Sequence, residues 1–388
     1  MKNIKIYNRL LDIDESGDSS LFLFGPRGTG KTLWLRGRFP DALWFDLLDT
    51  DVYTDFIARP SRLAERIPAG FEGPIIIDEV QKIPELLNEV HRLIELHRYQ
   101  FILTGSSSRS LKRKGVNLLG GRALNYTMHP LTCLELGEDF SLETALQFGT
   151  LPSVYQFSNP AHYLETYISS YLREEVLQEG LARNLGQFAR FLEIASFSQG
   201  SLLNYSEVAR DAGIDRKVAG HYFEILEDLL IACYLPVFTK RAKRRLVSHS
   251  KFYLFDPGVY RILRPKGPLD VPEEMEGACL ETLFLLHLRA FNDYFRLGYQ
   301  LYFWRTGNQT EVDFVAYGEK GLLAFEIKRG RSINRFDLTG LRAFSSDYPM
   351  AKCYLLYGGD HEEFHDGIHV LPFESGLKQL ADIMGRVG

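Results

Sequence analysis

The chain has 388 residues, 45% hydrophobic and 24% charged, with a formal net charge of −5 at pH 7. That length implies two or three domains, and the composition excludes a wholly disordered chain. The acidic balance excludes a protein that coats nucleic acid over its whole surface, so any such contact must be local.

The opening residues are charged throughout and lack the apolar core of a signal peptide. The longest apolar runs, such as Leu229–Phe238, are too short to cross a bilayer, so a cytoplasmic protein is expected. Cys133, Cys233, Cys279 and Cys353 are scattered, without disulfide density or zinc-site pairing, and read as core residues.

Leu21–Phe24 reads as a buried strand and Lys31–Arg38 as a helix. Between them Gly25, Pro26, Arg27, Gly28, Thr29, Gly30, Lys31 and Thr32 match the phosphate loop G-x-x-x-x-G-K-[ST] at every fixed position. The glycines let successive N–H groups point at phosphate oxygens, and the helix start adds positive potential. Lys31 would face the β and γ phosphates of ATP, and Thr32 would ligate Mg²⁺.

Ala42–Leu48 and Pro74–Ile77 read as further buried strands in a βαβ pattern. The second ends in Asp78-Glu79, at the sheet edge where ligands of open α/β folds collect. Asp78 is suited to hold Mg²⁺ and Glu79 to orient the attacking water. Pro84 is expected to open a helix running to His97, and Gln100–Thr104 another strand. Beyond it, Ser106 is the first candidate to sense the γ-phosphate and Thr104 the second. Arg109 and Arg122 follow, and Arg122 is the favoured arginine finger, in its own subunit or a neighbour's.

GPRGTGKT, IIIDEVQKIPELL, FILTGSS and the GR followed by HPLTCLEL together resemble a prokaryotic group of AAA+ type ATPases. FGTLPSVY (Phe148–Tyr155) and YISSYLREEV (Tyr167–Val176) are similar to the same group. The resemblance covers nearly the whole chain and implies a ring or other homo-oligomer. It also implies a C-terminal domain related to restriction-endonuclease folds.

Gln187–Leu235 reads as three short helices in a helix-turn-helix pattern, with Ser206 as N-cap of the second and Gly213 and Asp215 in the turn. Lys240, Arg241, Lys243, Arg244 and Arg245 follow, placed like the wing of a winged helix. From Leu235 to Pro268 nine Lys and Arg stand against one acid, Asp256, a local charge of +8 suited to phosphate backbones of DNA.

Glu276–Leu288 reads as an apolar helix carrying Glu281, followed by strands at Leu301–Trp304, Glu311–Tyr317 and Leu322–Lys328. Asp313 lies on the second strand; Glu326 and Lys328 share a face of the third, because strand side chains alternate. Asp313 and Glu326 provide oxygen ligands for Mg²⁺, and Lys328 can orient a metal-bound water. This is the D…E-x-K arrangement of the PD-(D/E)XK nucleases, with Glu281 matching the acid of their leading helix. Val312 replaces the usual proline.

The chain is thus read as three α/β or helical parts. They are a P-loop AAA+ type parallel-sheet domain (1–135), a helical and winged-helix middle (136–270) and a restriction-endonuclease-like α/β domain (271–388). The function expected is an ATP- and Mg²⁺-dependent ATPase that remodels or cuts DNA, with branched, junction-like DNA as one candidate. The alternative is a nucleotide-dependent regulatory switch that binds DNA or a protein partner and whose nuclease fold is catalytically silent.

Overall fold

The computed structural model describes residues 5–13, 19–107, 123–172, 184–240, 246, 249–267 and 272–386. Two compact units form: Arg9–Pro130 with Asp228–Leu230, and Leu131–Glu227 with Ile231 onwards together with the segment up to Asn8. The middle and C-terminal segments therefore share one unit.

In the first unit, strands β1 (Ser20–Phe24), β2 (Leu43–Asp46), β3 (Ile75–Asp78), β4 (Phe101–Gly105) and β5 (Ala123–Thr127) make an all-parallel sheet in the order β2-β3-β4-β1-β5. β1, β3 and β4 are buried along their full length. Their near-continuous aliphatic runs are what a parallel strand covered on both faces needs. Helices α1 (Lys31–Arg38), α2 (Thr50–Ala58), α3 (Arg62–Arg66) and α4 (Leu86–His97) belong to the same unit. Phe22, Phe56, Ile75, Ile77, Phe101 and Leu103 share one buried cluster. α4 begins at Leu86 rather than at Pro84. Because β1 lies between β4 and β5, the loop leaving β1 emerges where the strand order reverses.

The second unit opens with α5 (Cys133–Leu136), α6 (Leu142–Phe148) and α7 (Pro160–Thr166). Then come α8 (Leu185–Ser196), β6 (Ser201–Leu202), α9 (Tyr205–Ala212), α10 (Arg216–Asp228), β7 (Ala232–Leu235) and β8 (Lys251–Leu254). β8 pairs antiparallel with both β6 and β7. Phe223 joins helices to sheet, with its ring centroid 4.8 Å from Phe191 and 5.1 Å from Phe252. Asn204, not Ser206, caps α9, accepting from the N–H groups of Ser206 and Glu207. The cap thus falls two residues earlier than expected, where an amide oxygen can reach both orphan donors. Gly213 (φ 67°) ends α9 in the left-handed conformation, and Asp215 accepts from Lys217 N as α10 begins.

The FGTLP stretch has a packing role. α11 (Pro257–Leu263) is capped by Asp256, whose Oδ1 accepts from Gly258 N and Val259 N, while Oδ2 accepts from Thr150 N at 2.8 Å. Gly149 sits at φ 75°, and a Cβ there would lie 1.9 Å from Asp256 Oδ1.

α12 (Pro272–Tyr294) and β9 (Gln300–Arg305), β10 (Glu311–Gly318), β11 (Gly321–Lys328), α13 (Thr339–Asp347), β12 (Lys352–Tyr357), β13 (Glu363–His365), β14 (Ile368–Pro372) and α14 (Phe373–Ile383) follow. The six strands order as β13-β14-β12-β11-β10-β9. β9, β10 and β11 are antiparallel, while β11, β12 and β14 are parallel. Phe284 of α12 packs on Phe314 and Phe325, and Phe344 of α13 on Trp304. Phe314 and Phe325 point opposite to Val315 and Ala324, so α12 and α13 cover opposite faces.

After β7, Phe238 N donates to Phe303 O at 2.7 Å, and Leu246 bridges Thr306. Both flanks of the basic run are thereby tied to the β9 edge. No described helix is long and apolar enough to cross a membrane.

Candidate functional site

The loop between β1 and α1 is built for close backbone approach. A Cβ on Gly25 would lie 2.3 Å from Met128 O, and Gly28 and Gly30 take φ of 82° and 91°, which favour glycine. Thr29 Oγ1 donates to Pro26 O at 2.8 Å. Arg9 donates to Thr29 O and His129 O, bracing the loop from outside the motif. Among the described residues no side chain caps α1, and its leading N–H groups carry the positive end of the helix dipole. Lys31 is buried, with Nζ donating to Gly25 O at 2.6 Å and Pro26 O at 3.2 Å.

Asp78, at the end of β3, is the hub. Its Oδ2 accepts from Thr32 Oγ1 at 2.8 Å, and its Oδ1 accepts from Thr104 Oγ1 on neighbouring β4. Parallel pairing of β3 with β4 and β1 with β4 brings these three residues together. Thr104, expected second as a sensor, is therefore the residue in contact with Asp78. Glu79 follows at φ 59°, a left-handed conformation uncommon for a side-chain-bearing residue and costing about 1 kcal/mol or more. Its Oε2 accepts from Gln81 Nε2 and Ser106 Oγ, and Gln81 Nε2 also lies 3.0 Å from Ser106 Oγ. Ser106 thus stands beside Glu79 rather than Asp78. Gln81 was not singled out in the sequence; its only signal is its place two residues after Glu79. Arg109 and Arg122 lie outside the described residues.

This donor set fits a nucleotide with Mg²⁺: a hydroxyl and a carboxylate side by side, a buried ammonium against the loop, and backbone N–H groups at a helix start. The five-stranded parallel sheet and the loop are consistent with a P-loop nucleotide-binding domain.

Residues 18–137 match a family model described as an AAA domain. Residues 139–270 and 276–375 match two domains of unknown function, DUF8612 and DUF4143. The chain is 28% identical over 354 residues to uncharacterised proteins of Mycobacterium tuberculosis and Mycobacterium bovis, covering 88% of this chain and 77% of each of those. An uncharacterised Haemophilus influenzae protein is 21% identical over 332 residues, 80% of this chain and 78% of that one. Among solved structures, the Aeropyrum pernix Orc1 protein in complex with DNA aligns at 13% identity with a TM-score of 0.30, over 63% of this chain and 86% of that one. The Bacillus subtilis DNA clamp loader delta protein aligns at 15% with a TM-score of 0.24, over 53% and 82%.

A second cluster forms in the other unit. A β-bulge in β10 between Val312 and Val315 sets Asp313 off the regular ladder, and its Oδ2 accepts from Ile327 N at 2.9 Å. Such bulges re-aim side chains. Glu326 and Lys328 share a face of β11 as expected, with Lys328 Nζ 2.6 Å from Glu326 Oε1. Among the described residues Glu326 Oε2 is buried without a hydrogen-bond partner. Glu281 of α12 accepts from Tyr253 OH at 2.6 Å. The four expected residues therefore converge.

Three groups the sequence reading did not single out stand among them. Lys251 of β8 is 2% exposed, and its Nζ pairs with Glu311, with Asp313 Oδ1 at 3.5 Å and with Glu281 Oε2 at 3.9 Å. Glu311 also pairs with Arg305 at 3.1 Å. Burial pulls the Lys251 ammonium toward neutrality, and Glu281, Asp313 and Glu311 more than offset it, holding it above the ordinary lysine value. Burial, then the nearby Asp313, pushes Glu281 up to about 7 and Glu326 well above the carboxylate range. Among the described residues no group of three or more His, Cys, Asp or Glu is arranged to hold a metal ion. With Lys251 seated, the cluster does not fit a resident divalent cation. The signal for Lys251 was a lysine opening the apolar run KFYLF.

Lys240 is exposed, and its backbone carbonyl accepts from Tyr348 OH at 3.1 Å. Arg241, Lys243, Arg244 and Arg245 lie outside the described residues.

Proposed function

We propose that the chain is a Mg²⁺-dependent ATPase acting on DNA, with hydrolysis in the AAA-type domain coupled to remodelling of the DNA. The observation that carries this reading is the convergence of Lys31, Thr32, Asp78 and Glu79 at the strand-order switch point. Lys31 would release its loop carbonyls to meet the β and γ phosphates. Thr32 and Asp78 would hold Mg²⁺, which supplies charge neutralisation on the phosphates when bound. Glu79, fixed by Gln81 and Ser106, would accept a proton from the attacking water. Ser106 would sense the γ-phosphate, and Arg122 would complete a neighbouring subunit's site in a homo-oligomer.

DNA as partner is supported by the basic 235–268 segment, whose sequence charge of +8 includes one charge on the buried Lys251, and by the helix, strand, helix, helix, strand, strand order around it, which is that of a winged helix. Turnover measured with linear, single-stranded and four-way DNA tests this. Stimulation by at least one form is expected; identical turnover with all three and with none would remove DNA from the account.

A second reading, Mg²⁺-dependent cleavage of DNA at Asp313, Glu326, Lys328 and Glu281, is favoured by the convergence of these residues and by the unpartnered Glu326 Oε2, and it requires Lys251 to leave the carboxylates before a metal can enter. The strand and helix order of the C-terminal sheet also suits it. Gel analysis of the same incubations reads it out directly.

A further inference from the structure

The acidic cluster is closed from within by a strand of another sheet. β8 belongs with β6 and β7, and Phe252 on one of its faces joins the core beneath α8 and α10. Its other face carries Lys251 and Tyr253, which reach Glu281, Glu311 and Asp313. Gly200, just before β6, packs close: a Cβ there would lie 3.2 Å from Glu281 Oε2.

We propose that Lys251 is a built-in cation taking the place of a divalent metal ion, so that the cluster binds no metal while β8 is seated and becomes a divalent-cation site when Lys251 is removed.

Three observations carry it. Lys251 is almost wholly buried, yet its ammonium has three carboxylates as partners, the surroundings of a small hard cation rather than of a surface ion pair. Around it Glu281, Glu311, Asp313 and Glu326 face Lys251, Lys328 and Arg305, four acids against three cations. One proton on that set balances it, with no charge left over for a second cation. Glu326 Oε2, buried and unpartnered, is an oxygen the ammonium does not satisfy. Removing Lys251 leaves that oxygen and the carboxylates of Glu281 and Asp313 uncompensated in a buried place, and a divalent ion supplies what is missing. The inference goes beyond the second reading above, because cutting with Mg²⁺ at this cluster requires Lys251 to leave it, and it is read by metal binding rather than by cutting, so the two can fail separately.

The test uses the full-length protein without nucleotide, with Mn²⁺ as the probe, followed by calorimetry and by thermal midpoint. Wild type and Lys251→Arg should show no Mn²⁺ binding that Asp313→Asn abolishes. Lys251→Ala should bind one additional equivalent, and its midpoint should rise with Mn²⁺ concentration. Both gains should vanish in Lys251→Ala/Asp313→Asn. If Lys251→Ala folds only when Mn²⁺ is present, the proposal stands, because the metal then does what the ammonium did. Binding by wild type that depends on Asp313 would overturn it. So would a Lys251→Ala protein that gains no Mn²⁺ dependence, or that stays unfolded with Mn²⁺ while Lys251→Met, which keeps the apolar stem, folds without it. Mn²⁺ binding by Lys251→Ala with no cleavage would leave the proposal intact and end the nuclease reading.

Discussion

Thr104→Val isolates the hub of the nucleotide site. Thr104 is fully buried on β4, and its hydroxyl donates to Asp78 Oδ1 while lying 3.4 Å from Glu79 N. Valine keeps the branched shape and volume, so no cavity opens and the loss is that of two hydrogen bonds, the strong one to Asp78 and the long one accepted from Glu79 N. A bond to a charged acceptor contributes about 1.5–3 kcal/mol, and among the described residues Thr32 is the side chain that remains to orient the buried Asp78. Thr104→Val should therefore lower nucleotide-free stability by about 2 kcal/mol in a urea titration. ATP turnover should fall roughly tenfold to thirtyfold, since about 1.4 kcal/mol of lost transition-state stabilisation is a factor of ten. Ser106→Ala is the contrast: it loosens Glu79 and Gln81, so turnover should drop while nucleotide affinity stays close to wild type. If Thr104→Val matched wild type in both stability and turnover, the assignment of Asp78 as an oriented metal-side carboxylate would be refuted.

Gly149→Ala forces a Cβ to within 1.9 Å of Asp256 Oδ1 at a left-handed backbone position, and should cost about 2–4 kcal/mol by urea midpoint. His287 is buried, with Nε2 accepting from Cys133 N and Nδ1 bonded to Leu283 O, and burial lowers it to about 4. Because the unfolded imidazole takes its proton near pH 6.5 and the folded one only near 4, stability should be lost as pH falls through that window, by up to about 3 kcal/mol. In His287→Gln that part of the pH dependence, measured as urea midpoint against pH, should disappear. Replacing Lys240, Arg241, Lys243, Arg244 and Arg245 by serine should weaken DNA binding across sequences. The slope of log affinity against log salt should fall by up to about four, and an unchanged slope would place the phosphate contacts elsewhere.

The phosphate loop and the strands of the first unit were legible because they are local: a loop motif, continuous aliphatic runs and an acidic strand end need no long-range knowledge. The convergence of Asp313, Glu326, Lys328 and Glu281 was legible for a similar reason, since period-two alternation and a leading helix fix relative faces. What the pattern left out is set by tertiary packing. Nothing local ties Lys251 to a carboxylate sixty residues later in the chain, and an isolated lysine at a strand start ordinarily reads as solvated. Thr104 outranks Ser106 at Asp78 because β3 and β4 are neighbours in register, which a single sequence does not reveal. The helix cap moved from Ser206 to Asn204 because both residues can cap, and only the backbone geometry chooses between them.

ATP binding and turnover by the purified full-length protein, beside Lys31→Ala and Glu79→Gln, test the central claim most directly. Wild type should hydrolyse ATP with Mg²⁺. Lys31→Ala should lose nucleotide affinity because the charge facing the phosphates is gone, and Glu79→Gln should bind ATP and turn it over at least a hundredfold more slowly, about 2.7 kcal/mol in the barrier. Turnover near wild type in either variant, or none in wild type with Mg²⁺ and ATP, would contradict the account.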